Sequence, residues 1–223
     1  SADFSAVELR AIAYHANAKY LIEHLNRFDA GLGPKIHTVN AKNLFGVDDP
    51  SPVQYTLAKN FVFGSFYQPH DEPNASRAIW AILVPDFPDI SLADVDRLRR
   101  DWFYKINPEL PEYQDKLIAM ATAQQRVTAP LSGIDFLFHG KIEPNKVLNY
   151  PIQNTQAELM RRAIVRVRSR LVEGEYLWGQ VHDELIVEGP DPSRLVSVLR
   201  EEMPKPVLFC GQMITFPIEV KTG

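Results

Sequence analysis

The sequence predicts a mixed α/β (α+β) fold: an antiparallel sheet assembled from strands near both ends of the chain, with a long helical insertion between them. Three observations lead there. Residues 1–9, SADFSAVEL, read as a strand opening onto a turn. Residues 175–189, EYLWGQVHDELIVEG, read as two strands meeting near His182 and Asp183, which is hairpin spacing. The stretch between them carries helical periodicity with caps and stops. At 223 residues and 45% hydrophobic content the chain can bury a real core, as one large domain or two small ones.

In chain order, residues 10–30 carry helical spacing, GLGP breaks the chain, and residues 35–47 give a short helix. The best-marked helix follows. Ser51 suits the N-cap, Pro52 the first helical position, and Gln54 completes a capping box with Ser51. Pro69 stops it after about 17 residues, or ~25 Å. Another helix starts at Ser91 with Asp94, a further one spans 111–127, and short strands and turns occupy 128–143. Residues 154–174 read as a helix with Thr155 and Glu158 as a second capping box and Gly174 as its stop. Residues 191–203 form a helix, and 213–222, MITFPIEVKT, a closing strand.

Composition narrows the class. With 24 basic against 28 acidic residues the net charge is −4, which argues against a uniformly basic nucleic-acid module but leaves room for a local basic face. One cysteine, Cys210, excludes an internal disulfide framework, fits a reducing compartment, and is expected as a small buried apolar residue. No apolar run reaches the ~20 residues of a membrane span, and the first residues lack the pattern of a signal peptide. A cytoplasmic chain with no membrane partner is expected.

Three constellations carry chemistry. His182, Asp183 and Glu184 interrupt an apolar run, and Asp3 lies on the first strand; if both strands share one sheet, Asp3 and Asp183 converge. Two such carboxylates repel unless a cation sits between them, and oxygen ligands suit Mg²⁺. A polar turn with solvent-facing aspartates remains the open alternative. On the capped helix, Lys59, Phe63 and Tyr67 fall at i, i+4 and i+8, a cation and two aromatics on one face that would suit a triphosphate, its sugar and a base. Gly64 beside them calls for a close approach by a ligand or strand. An amphipathic core helix with a snorkelling lysine is the alternative. The third is a run of five arginines, Arg161, Arg162, Arg166, Arg168 and Arg170, in which Arg162, Arg166 and Arg170 share a face: a phosphate-tracking stripe or a solvated surface.

Taken in order, these pieces resemble the polymerase domain of the DNA polymerase I-like (family A) DNA polymerases, from motif A almost to the C-terminus. DFSAVELR (3–10) resembles D-Y-S-Q-I-E-L-R, and KIHTVNAKNLFGV resembles D-I-H-T…F-G-V. KNFVFGSFY (59–67) fits K-x-x-x-F-G-x-x-Y, NYPIQNTQAELM fits N-x-P-x-Q-G-T-A-A-D-L-M, and VHDEL fits V-H-D-E-x. The resemblance implies an antiparallel palm sheet (residues 1–30 and 126–223) with a helical fingers insertion (31–125, motif B helix about 52–68). It implies transfer of dNMP from dNTP to a primer 3′-hydroxyl with two Mg²⁺ ions held by Asp3, Asp183 and the Phe4 carbonyl. Lys59 would bind the triphosphate and protonate pyrophosphate, His37 would contact the phosphate tail, and Glu8 would exclude a ribose 2′-hydroxyl. Phe63 would pack on the incoming nucleotide and Tyr67 stack at the template side. Asn149 and Gln153 would read the minor groove of the nascent pair, His182 would touch the primer end, Glu184 would support the metals, and Arg162 and Arg166 would track DNA.

Departures from the family pattern are Tyr55 in place of an arginine, with Lys35 a candidate to compensate, together with Gln68, Asn154-Thr155 and Ala6. The sequence starts two residues before Asp3. Thumb, exonuclease and the first palm strands are therefore expected on a second polypeptide, as in a split polymerase (phage-encoded, acting in host cytoplasm) or a cleaved chain. The rivals are an inactive polymerase-like scaffold or DNA-binding subunit, which Tyr55 favours and retention of Asp3, Asp183, Lys59 and Tyr67 disfavours, and a single-subunit RNA polymerase-like enzyme, which Glu8 and Glu184 disfavour.

Overall fold

The computed structural model describes residues 1–222, which divide into two compact units. Unit 1 comprises residues 1–12, 128–135 and 150–222, and unit 2 residues 13–127 and 136–149.

Unit 1 is built on four antiparallel strands: β1 (Ala2–Phe4), β4 (Tyr176–Val181), β5 (Glu184–Glu188) and β8 (Ile218–Val220), in the order β4-β5-β1-β8. The sheet thus joins residues 2–4 to residues 176–220. Pairing sets Ala2 opposite Leu185 and Val220, and Asp3 opposite Glu184 and Glu219. Because side chains alternate along a strand, Ala2 and Phe4 are buried while Asp3 points to the other face. Helix α9 (Pro192–Glu202), capped by the Asp191 carboxylate on the Arg194 N–H, closes the buried face with Leu195, Val198 and Leu199. The expected strand over residues 1–9 is shorter than its sequence suggested. The left-handed φ of 49° at Ala6 turns the chain, and helix α1 (Val7–Ala16) starts at once.

The closing segment also divides. β6 (Val207–Phe209) and β7 (Gln212–Ile214) form their own hairpin, and only β8 joins the main sheet. Cys210 sits in the β6–β7 turn at φ 49° and is exposed, not buried as expected, because that turn projects away from the layer in which Phe209 and Phe216 pack. Helix α8 (Pro144–Arg170) is continuous through Pro151, so Thr155 is no cap. It is buried in mid-helix, and its hydroxyl donates to the Pro151 carbonyl at 2.9 Å. A two-stranded ribbon, β2 (Arg126–Thr128) with β3 (Asp135–Leu137), accounts for the expected short strands.

Unit 2 is helical. The expected helix over 10–30 is two, α1 and α2 (Lys19–Asp29), broken at Asn17 with φ 52°. Helix α3 (Ile36–Phe45) ends on Gly46 in the left-handed conformation. Helix α4 (Pro52–Phe66) begins with the expected capping box: Gln54 N–H donates to Ser51 Oγ at 3.2 Å and Ser51 N–H to Gln54 Oε1 at 2.8 Å. Helix α5 (Ala75–Leu83), which the sequence reading passed over, packs on α4. It explains Gly64: a Cβ there would meet Ile79 Cγ1 at 3.2 Å, so the close approach is by a neighbouring helix rather than by a ligand or strand. Helix α6 (Leu92–Asp101) has the Ser91–Asp94 box, a π-helical turn follows over Trp102–Ile106, and α7 (Glu109–Gln124) completes the unit.

The C-terminal end of α4 is fastened from two sides. Buried Arg99 donates to the carbonyls of His70 (2.8 Å), Pro69 (2.5 Å) and Gln68 (3.4 Å). Buried Gln114 donates to Phe66 O (2.6 Å) and Gln68 O (3.2 Å) and accepts from His70 N–H (2.7 Å). Helix ends leave carbonyls without intrahelical partners; Gln114 satisfies that of Phe66, and Arg99 satisfies those of the turn beyond the helix. Arg99→Met orphans buried carbonyls and is expected to lower stability by roughly 3 kcal/mol in a urea titration; a loss below about 1 kcal/mol would show that water replaces the guanidinium.

Candidate active site

In unit 1, Asp3, Phe4, His182, Asp183 and Glu184 meet where β1 pairs beside the β4–β5 hairpin. Val181 pairs with Glu184, leaving His182 and Asp183 as a two-residue loop. His182 adopts φ 55°, a left-handed conformation that tight hairpin turns demand and that side chains disfavour. Phe4 N–H donates to the Asp183 carbonyl at 3.2 Å, so the loop is pinned to the strand that carries Asp3. Directly across from Asp3, however, stands Glu184, with Asp183 one residue further at the turn. Asp3 Oδ1 is shut off from solvent and has no hydrogen-bond partner. A buried anionic oxygen without a donor is costly, and a cation would satisfy it. Among the described residues no three acids, histidines or cysteines form a ready-made metal cage; a magnesium ion asks for less, binding through one or two carboxylates together with water and substrate phosphates. The donor set therefore fits divalent magnesium.

Two residues of this cluster escaped the sequence reading. Glu219 faces Asp3 from β8, and Lys221 places its ammonium 3.6 Å from Asp3 Oδ2 and 3.9 Å from Glu184 Oε1. The signal was the alternation in IEVK, which puts Glu219 and Lys221 on one face. Glu184 is held below the usual carboxylate range, first by the Ser1 hydroxyl (2.5 Å) and then by Lys221. In the same unit, Gln153 Nε2 donates to Glu8 Oε1 at 3.0 Å, joining two of the predicted residues. Arg162 is committed: Nε to Glu158 Oε1 at 2.8 Å and Nη2 to Leu131 O at 3.0 Å. Arg166, one turn on, is half-buried.

In unit 2, α4 presents the second constellation. Lys59 is exposed, with its Nζ 6.0 Å from the Phe63 ring centre, and Phe63 stacks on Tyr67 with centroids 6.3 Å apart at 15°. These three form one continuous cationic-aromatic face. His37, from α3, is buried beside it, its ring 5.7 Å from Phe63 and 5.8 Å from Tyr55. Burial, then the Lys59 charge, lower its pKa to about 4, so His37 is neutral near pH 7 and offers a hydrogen bond but no charge. Asn149 is half-buried on α8.

A sequence model of DNA polymerase family A matches residues 1–223. The thermostable DNA polymerase I of Thermus thermophilus is 28% identical over 231 residues, covering 99% of this chain and 26% of that protein. DNA polymerase I of Bacillus caldotenax is 28% identical over 222 residues, covering 93% of this chain and 24% of its own length. The chain thus spans about a quarter of the length of these relatives. Among solved structures, the POL domain of Pol1 from M. smegmatis, in complex with DNA primer-template and dNTP, superposes with a TM-score of 0.77 at 20% identity, covering 98% of this chain and 38% of that one.

His15 on α1 is half-buried, and desolvation lowers its pKa to about 4, as it does for His37. An unfolded histidine takes up its proton near 6.5, whereas these two resist it until about pH 4, so their contribution is complete above 6.5 and is lost as the pH falls toward 4. Urea titrations are expected to show roughly 2 kcal/mol less stability per histidine at pH 5 than at pH 7.5. His15→Asn should remove about half of that slope; an unchanged slope would mean that the imidazole is protonated in the fold.

Proposed function

Because this chain belongs to DNA polymerase family A, we propose that it carries out template-directed DNA synthesis, adding dNMP from dNTP to a primer 3′-hydroxyl. The observation that carries the reading is the pairing that pins the Asp183 turn to the Asp3 strand while leaving Asp3 Oδ1 unpartnered. Asp3, Asp183 and the Phe4 carbonyl would hold two Mg²⁺ ions. When bound, such ions acidify the 3′-hydroxyl and neutralise the charge that develops at the α-phosphate. The neighbouring Glu184 would keep the carboxylate cluster in place.

The chain's own groups do the rest. Lys59 would pair with the triphosphate and lend a proton to departing pyrophosphate, the Phe63 ring would pack on the sugar and base, and Tyr67 would stack at the template side. Neutral His37 would donate a hydrogen bond to the phosphate tail. Glu8 would crowd a 2′-hydroxyl, and its bond to Gln153 would hold it there. Gln153 and Asn149 would read minor-groove acceptors that all correct pairs share, and His182 would touch the primer end. Arg166 would contact DNA phosphates; Arg162 would do so by exchanging its Glu158 bond for one to phosphate. Palm would correspond to 1–30 and 126–223, and fingers to 31–125. A second polypeptide would pair with this chain, in a split polymerase of phage type working in host cytoplasm. The sheet edges at β8 and β4 support such a partner.

Primer extension with Mg²⁺, with this chain alone and with candidate partner chains, tests the reading. Asp183→Ala and Asp3→Ala are each expected to cut extension by at least about 1,000-fold; normal extension by either variant would refute the catalytic assignment and favour an inactive scaffold. Glu8→Ala is expected to admit rNTPs at least about 10-fold more readily with dNTP use retained. Unaltered sugar discrimination would remove Glu8 from the gate.

A further inference from the structure

The row of acids on the open face of the unit 1 sheet raises an electrostatic problem. Glu184, Asp3 and Glu219 stand directly opposite one another on β5, β1 and β8. Like charges in register across neighbouring strands destabilise a sheet. The fold supplies its own answer. The strand ladder continues past β8, with Lys221 N–H donating to Ser1 O at 2.9 Å, and this fixes Lys221 on the same face two residues beyond Glu219. Its ammonium sits 3.6 Å from Asp3 Oδ2 and 3.9 Å from Glu184 Oε1, shared between two carboxylates and beyond ideal hydrogen-bond length to either. The side chain is 60% exposed, so it can swing away without disturbing the core. Asp3 Oδ1, on the same carboxylate, is left without a donor.

We infer that Lys221 is a built-in counter-cation of the carboxylate cluster: it offsets part of the charge of Asp3 and Glu184 when no divalent ion is present and must be displaced when one binds. This rests on the proposed metal site. Lys221 is a positioning residue that sets how much divalent cation the site needs and keeps the acidic row in register between loadings. A tethered ammonium in the gap competes with the ion for the same oxygens, so removing it tightens metal binding while loosening the metal-free sheet.

The test uses Mn²⁺ alone, without DNA or nucleotide, titrated into the full chain and followed by electron paramagnetic resonance of the free ion. Lys221→Met and Lys221→Gln are expected to bind Mn²⁺ about three- to five-fold more tightly than the parent at low salt, with the gain shrinking as KCl rises. The same variants are expected to melt lower than the parent in EDTA and to gain more from added Mn²⁺. Asp3→Asn, in either background, is expected to abolish this binding. Asp3-dependent binding of equal affinity in parent and variants would overturn the role of Lys221 and leave the metal site standing. Binding indifferent to Asp3, or none, would overturn both.

Discussion

The pairing of β1 between β5 and β8 is the constraint on which the rest depends. Three residues at one end of the chain are inserted between strands from the other, across some 180 positions. For a flexible loop of that length, closure costs about 5 kcal/mol on the logarithmic term alone. Local propensity cannot meet it, because β1 is three residues long and one of them is an aspartate. Burial of Ala2, Phe4 and Leu185 on one face offsets that cost, helped by unit 2, whose own helices condense most of the intervening chain. The opposite face then receives whatever the alternation dictates, and here it dictates carboxylates. The same register that builds the core therefore creates the electrostatic demand for cations.

The cationic-aromatic helix is solved by different means. Its start is local chemistry, a serine, a proline and a glutamine within four positions. Its end is tertiary chemistry, with Gln114 reaching from α7 to the Phe66 carbonyl that the helix cannot satisfy and Arg99 reaching from α6 to carbonyls of the turn that follows. Between those two fixed ends Lys59, Phe63 and Tyr67 can differ in exposure without shifting the backbone. Phe63 is held between His37 and Tyr67, so the aromatic face is preorganised rather than assembled on demand.

What the sequence made legible follows this split between local and distant causes. The Ser51 and Ser91 boxes, the β4–β5 hairpin and α9 were readable because the residues that cause them lie within a few positions of each other. Thr155 misled because a capping signature is indifferent to context: with α8 already running from Pro144, its hydroxyl turned inward to Pro151. Cys210 misled because thiols are usually buried, whereas this one serves a turn that needs φ 49°. Gly64 announced a close neighbour correctly but could not say that the neighbour was Ile79. Glu219 and Lys221 were visible as alternation, yet their place beside Asp3 depends on strand order, which no local pattern encodes.

The central claim is that the Asp3 strand and the Asp183 turn form one divalent-cation site. Anomalous diffraction at the manganese edge, from crystals of the chain grown with Mn²⁺ and a non-reacting dNTP analogue, tests it most directly. The account predicts anomalous peaks about 2.1 Å from carboxylate oxygens of both Asp3 and Asp183. Manganese bound elsewhere, with those two side chains free of metal, would contradict it.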